Sequence, residues 1–193
     1  MSETLSTFLT LPSSYIVLDT ETTGLADDLG PPGIVTLGLT EVQNQKIRRS
    51  IEFKLKPYRS IKEEAQKIHG ITNEEADTFS SLESKWPEIK RFLDNKTIVI
   101  HNASFDWPII LFHIEKFHLS PLKNTIVFCS QKSSIPFAIE NKIPMNSRGP
   151  SLDSLSAYLG VTSLRVDGLH GAEIDTRQTA MVVEQLRKLA GEQ

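Results

Sequence analysis

Two hydrophobic periods divide the chain. Up to about Pro57 the apolar residues come in short runs or near-alternation. "YIVLD" (15–19) is a continuous run, while "GIVTLGLTEV" (33–42) and "KIRRSIEFKLKP" (46–57) alternate as half-buried strands do. The turn-rich "ADDLGPPG" (26–33) separates the first two. From Ile61 onward the spacing becomes helical. A segment over 61–67 is stopped by "HGIT", and "NEEADTF" and "SLESKWPEIKRFLDN" follow it. "TIVIH" (97–101) and "NTIVFCS" (124–130) read as two more buried strands. Between them "NASFDWPIILFHIEKFHL" predicts a helix with Ser104 as N-cap and Pro108 in its first turn, where a missing N–H costs little. Residues 133–150 have no clear period and read as a long mobile loop. "SLDSLSAYLG" and "AEIDTRQTAMVVEQLRKLA" are the last two helices. Strands first, then strands alternating with helices, predict an α/β fold: a mixed five-stranded sheet flanked by helices. With no composition break, residues 1–193 read as a single domain, its core over about 14–190.

Composition changes this picture little. Lys and Arg total 21 against 24 Asp and Glu, a net charge of −3, so the overall field does not attract nucleic acid. Binding to such a polyanion would need a local patch or metal ions. One cysteine, Cys129, excludes an intrachain disulfide and suits a reducing compartment; no signal peptide precedes the first strand. No run reaches the roughly 18 apolar residues of a membrane span. The expectation is a cytoplasmic protein with no membrane partner.

The candidate chemistry lies in acidic residues at the ends of apolar stretches. Asp19 and Glu21 stand two apart at the end of the first strand, on one face of it. Asp106 shares a helix face with Ile109 and Ile110, and Asp175 lies on the stripe that continues through Thr179 and Val182. Neither helical aspartate has a lysine or arginine three or four residues away. Taken singly, each has a plain alternative: a first-turn aspartate satisfies free N–H groups and the helix dipole, and a carboxylate at a strand end is solvated. Together the four can converge on one point. An all-oxygen donor set then suits Mg²⁺ or Mn²⁺, and the lack of a Cys/His cluster argues against zinc.

At these residues the sequence resembles a known family. "DTETTGL", "HNASFD" and "HGAEID" match in order the three motifs of the DEDD exonucleases, in the histidine-bearing (DEDDh) branch. That branch includes the proofreading subunit of bacterial replicative DNA polymerase, exonuclease X, ribonuclease T and oligoribonuclease. The resemblance implies a ribonuclease-H-like fold and a 3′-5′ exonuclease that releases nucleoside 5′-monophosphates. It implies that Asp19, Glu21, Asp106 and Asp175 hold two divalent cations, with His170 as general base; an ordinary imidazole titrates near pH ~6.5. An exposed loop position is the plainer reading of His170 taken alone. By the same resemblance Thr22, Thr23 and Leu25, with His69 of "HGI" and Asn102 of the second motif, border the substrate's terminal nucleotide. Phe105 packs against a base or, equally, into the core. The chain departs from the family in having Thr176 after the last aspartate and "FCSQKSS" after the fifth strand. Lys142 and Arg148, in the 133–150 stretch, offer contacts to a strand's backbone, or simply solvated charge.

The partner implied is a nucleic acid with a free 3′ end, single-stranded by preference. Proofreading, repair, RNA trimming and oligonucleotide clearance all fit the motifs. A homodimer is open, since several family members are dimers; attachment to a polymerase is possible, but a free-standing enzyme is the expectation. Two other readings compete: a non-catalytic binding module on the same fold, and an endonuclease or integrase, against which the histidine-bearing third motif argues.

Overall fold

In the computed structural model, which describes residues 5–165 and 168–191, a short helix α1 (Ser6–Leu9) leads into β1 (Tyr15–Thr22), the strand around which the rest is arranged. β1 pairs antiparallel with β2 (Ile34–Gln43), and β2 with β3 (Lys46–Lys56). The β2–β3 connection is two residues, Asn44 and Gln45, both at positive φ (52° and 60°). A two-residue loop of that hand matches the twist of the flanking strands, and asparagine tolerates the left-handed region. Helices α2 (Glu63–His69) and α3 (Asn73–Ala76) follow, then a two-residue strand β4 (Ser80–Ser81) and α4 (Leu82–Leu93). β5 (Thr97–Ile100) runs parallel to β1, and after α5 (Ala103–Lys116), β6 (Ile126–Cys129) runs parallel to β5.

The sheet order is β4-β3-β2-β1-β5-β6. It is mixed, as expected, but has six strands rather than five. The addition is Ser80–Ser81, which pairs with Leu55 and Lys56 at the edge. Two exposed serines show no alternation, so no hydrophobic pattern marks them.

The 133–150 stretch is also more ordered than its sequence suggests. It contains the end of α6 (Ser130–Ser133), α7 (Ile135–Glu140), and a hairpin of β7 (Met145–Asn146) with β8 (Gly149–Pro150). Phe137, Ala138 and Ile143 are buried and anchor it to the core. Elements this short hold too few apolar residues to print a period. In α5 the N-cap is Asn102, in the left-handed region, not Ser104; the Ser104 hydroxyl donates to the Asn102 Oδ1 instead.

The last helices, α8 (Leu152–Leu159) and α9 (Ala172–Gly191), cover one face of the sheet with α1. Tyr15 and Val17 of β1 meet Leu155, Val182, Val183 and Leu186 there. Ile16 and Leu18 point the other way, into a second core with Trp86, Ile89 and Leu93 of α4 and Ile109 and Ile110 of α5. Burying each of these large side chains is worth about 1.5–3 kcal/mol, which fixes both β1 faces and hence its register. No helix among the described residues is long and apolar enough to cross a membrane.

Candidate active site

Strand alternation decides where the first two carboxylates go. Asp19 and Glu21 continue the Tyr15–Val17 face past the end of the core, toward α9. Thr20 continues the opposite face, toward α5. The strand's end therefore has an acidic side and a hydroxyl side, and the two helices that cover the sheet each send one aspartate to it.

Asp106, in the first turn of α5 and 3% exposed, receives two hydrogen bonds on Oδ1: from the Thr20 main-chain N–H at 3.1 Å and from the Thr20 hydroxyl at 2.7 Å. Asp175 arrives on α9, whose start lies against β2 at Gly38, the register partner of Asp19. A Cβ on Gly38 would stand 2.3 Å from the Ala172 carbonyl carbon and oxygen, so only glycine lets the helix this close. His170, just before α9, is anchored by its own N–H to the Ile68 carbonyl at 3.0 Å, at the end of α2. Its Nδ1 lies 3.3 Å from the Asp175 Oδ2, and ligand atoms of Glu21, His170 and Asp175 all lie within 4.8 Å of one another.

These residues line a cleft of about 660 Å³, together with His101, Asn102 and Phe105 from the β5–α5 turn, Thr22, Gly24 and Leu25 from the end of β1, His69 and Lys62 from around α2, and Arg148 from the β7–β8 hairpin. Leu25 stands at its mouth, 70% exposed. His69 is buried: its Nδ1 accepts from the Ile71 N–H at 3.1 Å, so Nε2 carries the proton toward the Thr22 carbonyl 3.3 Å away. Phe105 both lines the cleft and packs against the α5 core. Thr23 is the exception among the expected contacts. It turns inward, its hydroxyl accepting from the Gly33 N–H and its carbonyl from the Lys62 N–H, each at 2.9 Å, and it ties the 26–33 loop to α2.

The electrostatics answer why carboxylates sit here. Burial, then the neighbouring charges of Asp106, Glu21 and Asp175, push Asp19 well above its ordinary range. Burial likewise raises Glu21 and Asp106, each to about 7, the Thr20 hydrogen bonds holding Asp106 down against that rise. Among the described residues one guanidinium, that of Arg165, bonds this group of four, and of the four it bonds Asp175. Its presence was not legible: Arg165 stands ten residues before Asp175 in a stretch with no period. Three of the four carboxyl groups are raised chiefly by burial, Asp19 and Glu21 further by their carboxylate neighbours, which fits a missing positive charge, and oxygen donors beside a single imidazole fit a hard divalent cation. His101 is neutral, its pKa lowered to about 4 by burial, and joins the hairpin to the cleft wall through contacts to the Ser130 hydroxyl and the Pro150 carbonyl.

Acidic side chains from three distant segments meet at the end of the first strand of this mixed sheet, whose architecture is of the ribonuclease-H-like kind. A family model for the RNase T exonucleases matches residues 16–183, and the chain belongs to that family. It is 32% identical to the PolC-type DNA polymerase III of Thermotoga petrophila over 181 residues, covering 92% of this chain but 12% of that protein. It is 32% identical to the DNA polymerase III subunit epsilon of Escherichia coli over 177 residues, covering 86% of this chain and 68% of that one. The chain thus spans only a small part of the PolC-type relatives. Among solved structures, exonuclease X in complex with 5′-overhanging duplex DNA superposes with a TM-score of 0.66 at 24% identity, over 91% of this chain and 92% of that one. Exonuclease I of Escherichia coli with a dA16 oligonucleotide gives 0.73 at 18%, over 94% and 42%.

Proposed function

We propose that the protein is a divalent-metal-dependent 3′-5′ exonuclease that removes nucleoside 5′-monophosphates from the 3′ end of DNA, with single-stranded ends preferred. The observation that carries this reading is the meeting of Asp19, Glu21, Asp106 and Asp175, one set from three motifs, on the wall of one open cleft. Family membership over residues 16–183 supports it, and we read the whole chain as one exonuclease domain. The choice of DNA over RNA rests on relatives named as DNA polymerase components and on solved neighbours bound to DNA.

In this mechanism the four carboxylates would hold two ions, Mg²⁺ or Mn²⁺. When bound, these neutralise the phosphate and stabilise charge on the attacking and leaving oxygens. The protein's own residues do the rest. His170 presents Nδ1 to Asp175, which orients the ring and leaves Nε2 to take the proton of the attacking water. Water oxygen bonds to phosphorus as the bond from phosphorus to the penultimate 3′ oxygen breaks; that oxygen takes a proton from solvent as it leaves, and His170 returns its proton to solvent afterwards. Thr22, Leu25, His69, Asn102 and Phe105 border the terminal nucleotide, Leu25 and Phe105 offering apolar surface to its base.

The test is digestion of a 5′-labelled single strand, with duplex DNA carrying a recessed 3′ end, RNA and a dinucleotide alongside. A stepwise ladder dependent on Mg²⁺ or Mn²⁺, fastest on DNA, is expected. Undiminished cleavage in excess chelator, or by Asp19→Ala, would refute the reading.

A further inference from the structure

Arg165 commits its whole guanidinium to carboxylates. Nε donates to the Asp175 Oδ1 and Nη2 to the Asp175 Oδ2, both at 2.8 Å. Nη1 lies 2.9 and 2.8 Å from the two oxygens of Asp153, in the first turn of α8. The Arg165 side chain is only 10% exposed, whereas that of Asp153 is 61% exposed. Both oxygens of Asp175 are therefore occupied by a cation the chain supplies itself. Beside the guanidinium lies a second cavity of about 510 Å³, bordered by Asp153, Ser163, Arg165, Gly168 and Gln178, and by His170, which it shares with the cleft. The side chain has somewhere to move without losing its second carboxylate.

We propose that Arg165 is a resident counter-cation for Asp175, which it holds in place while metal is absent and must release for metal to bind, remaining paired with Asp153. This rests on the reading that Asp175 is a metal ligand. A planar fork bonded to both oxygens of a carboxylate takes one lone pair on each and neutralises most of its charge, so a second cation on the remaining lone pairs cannot share it at full strength. Arg165 is thus a positioning residue that sets the divalent-ion concentration at which the site fills. Asp153 is its parking place: the stronger that second contact, the cheaper the release.

Calorimetric titration of the chelator-treated full-length protein with Mn²⁺ tests this without any turnover. Relative to the wild type, Arg165→Gln is expected to bind Mn²⁺ about tenfold more tightly, the scale of one charge-assisted hydrogen bond. Arg165→Lys is expected to bind more tightly too, since it keeps the charge but loses the fork. Asp153→Asn is expected to bind more weakly, because Arg165 then loses the one carboxylate besides Asp175 that it bonds among the described residues. Arg165→Gln binding no more tightly than wild type, or Arg165→Lys matching wild type while Arg165→Gln tightens, would overturn the proposal; the second result would reduce Arg165 to a contributor to the general field. If the glutamine variant fails to fold, Asp153→Asn decides alone, and unchanged affinity there overturns it. Absence of Mn²⁺ binding in the wild type and in Arg165→Gln alike would instead remove the metal reading beneath the proposal.

Discussion

Thr20 gives both its main-chain N–H and its hydroxyl to a single oxygen of Asp106. The hydroxyl comes from β1 and the carboxylate from α5, so this pair joins the two elements at the cleft. It also leaves Oδ2 as the oxygen turned to other partners. Thr20→Val keeps the shape but removes the hydroxyl bond, and with it part of what holds the Asp106 pKa down. The variant should fold, lose about 1 kcal/mol of stability, and bind Mn²⁺ more weakly, with the midpoint of binding against pH moved to the alkaline side. An unmoved midpoint would show that Thr20 does not tune the ligand.

The pH dependence of stability should change sign with metal. Glu21 and Asp106 titrate near 7 in the folded metal-free chain, against ordinary values of 4.5 and 3.8. Between those limits the folded state binds more protons than the unfolded one, so stability falls as pH rises and the loss is complete above about pH 7. A divalent cation needs the ionised forms and stabilises most where protons have left. Buried His101, with its pKa lowered to about 4, opposes this trend up to its ordinary value of 6.5, so melting of the chelated protein should occur at progressively lower temperature from about pH 6.5 to about pH 8, and saturating Mg²⁺ should flatten or reverse that slope. Asp27, held far below the ordinary carboxylate range by Arg59 and Lys62, acts in the opposite sense and only at lower pH, where its contribution is lost. Parallel curves with and without Mg²⁺ would mean that the buried carboxyls do not meet the ion.

Much of this was legible in the chain, and the reasons are specific. "YIVLD" identifies β1 because a strand covered on both faces has no room for polar alternation, and the period of two then forces Asp19 and Glu21 onto one side. Asp106 and Asp175 read as inward-facing because each lies on its helix's apolar stripe, and both are buried. What escaped is what depends on contacts between distant segments. Arg165 reaches Asp175 across a loop, β4 pairs through two residues, and the β7–β8 hairpin is held by Phe137 and Ile143 without a repeating pattern. Thr23 shows the reverse limit, since a motif position that lies beside cleft residues in sequence can still turn its side chain into the protein.

Gly38 carries the start of α9. Adding one methyl group there collides with the Ala172 backbone, which cannot yield as a flexible side-chain end would. Gly38→Ala should displace Asp175 and His170 from Asp19, costing about 1–3 kcal/mol of stability as overpacking does and a larger share of activity than of folding. Wild-type activity in a stable Gly38→Ala protein would show that the α9 approach is not critical.

Arg148 brings positive charge to the cleft from the hairpin and has no ion-pair partner among the described residues. A phosphate of the bound strand is its natural counterion. Arg148→Ala should weaken single-strand binding uniformly across sequences and lower the slope of log affinity against log salt by about 0.7. An unchanged slope would place Arg148 off the nucleic acid's path.

The most direct measurement is anomalous diffraction from crystals grown with Mn²⁺ and a nucleoside 5′-monophosphate. The account predicts two Mn²⁺ peaks in the cleft, ligated between them by oxygens of Asp19, Glu21, Asp106 and Asp175, with the nucleotide's phosphate against them. Well-ordered crystals with the nucleotide bound and no Mn²⁺ at those oxygens, or with Mn²⁺ only elsewhere, would contradict it.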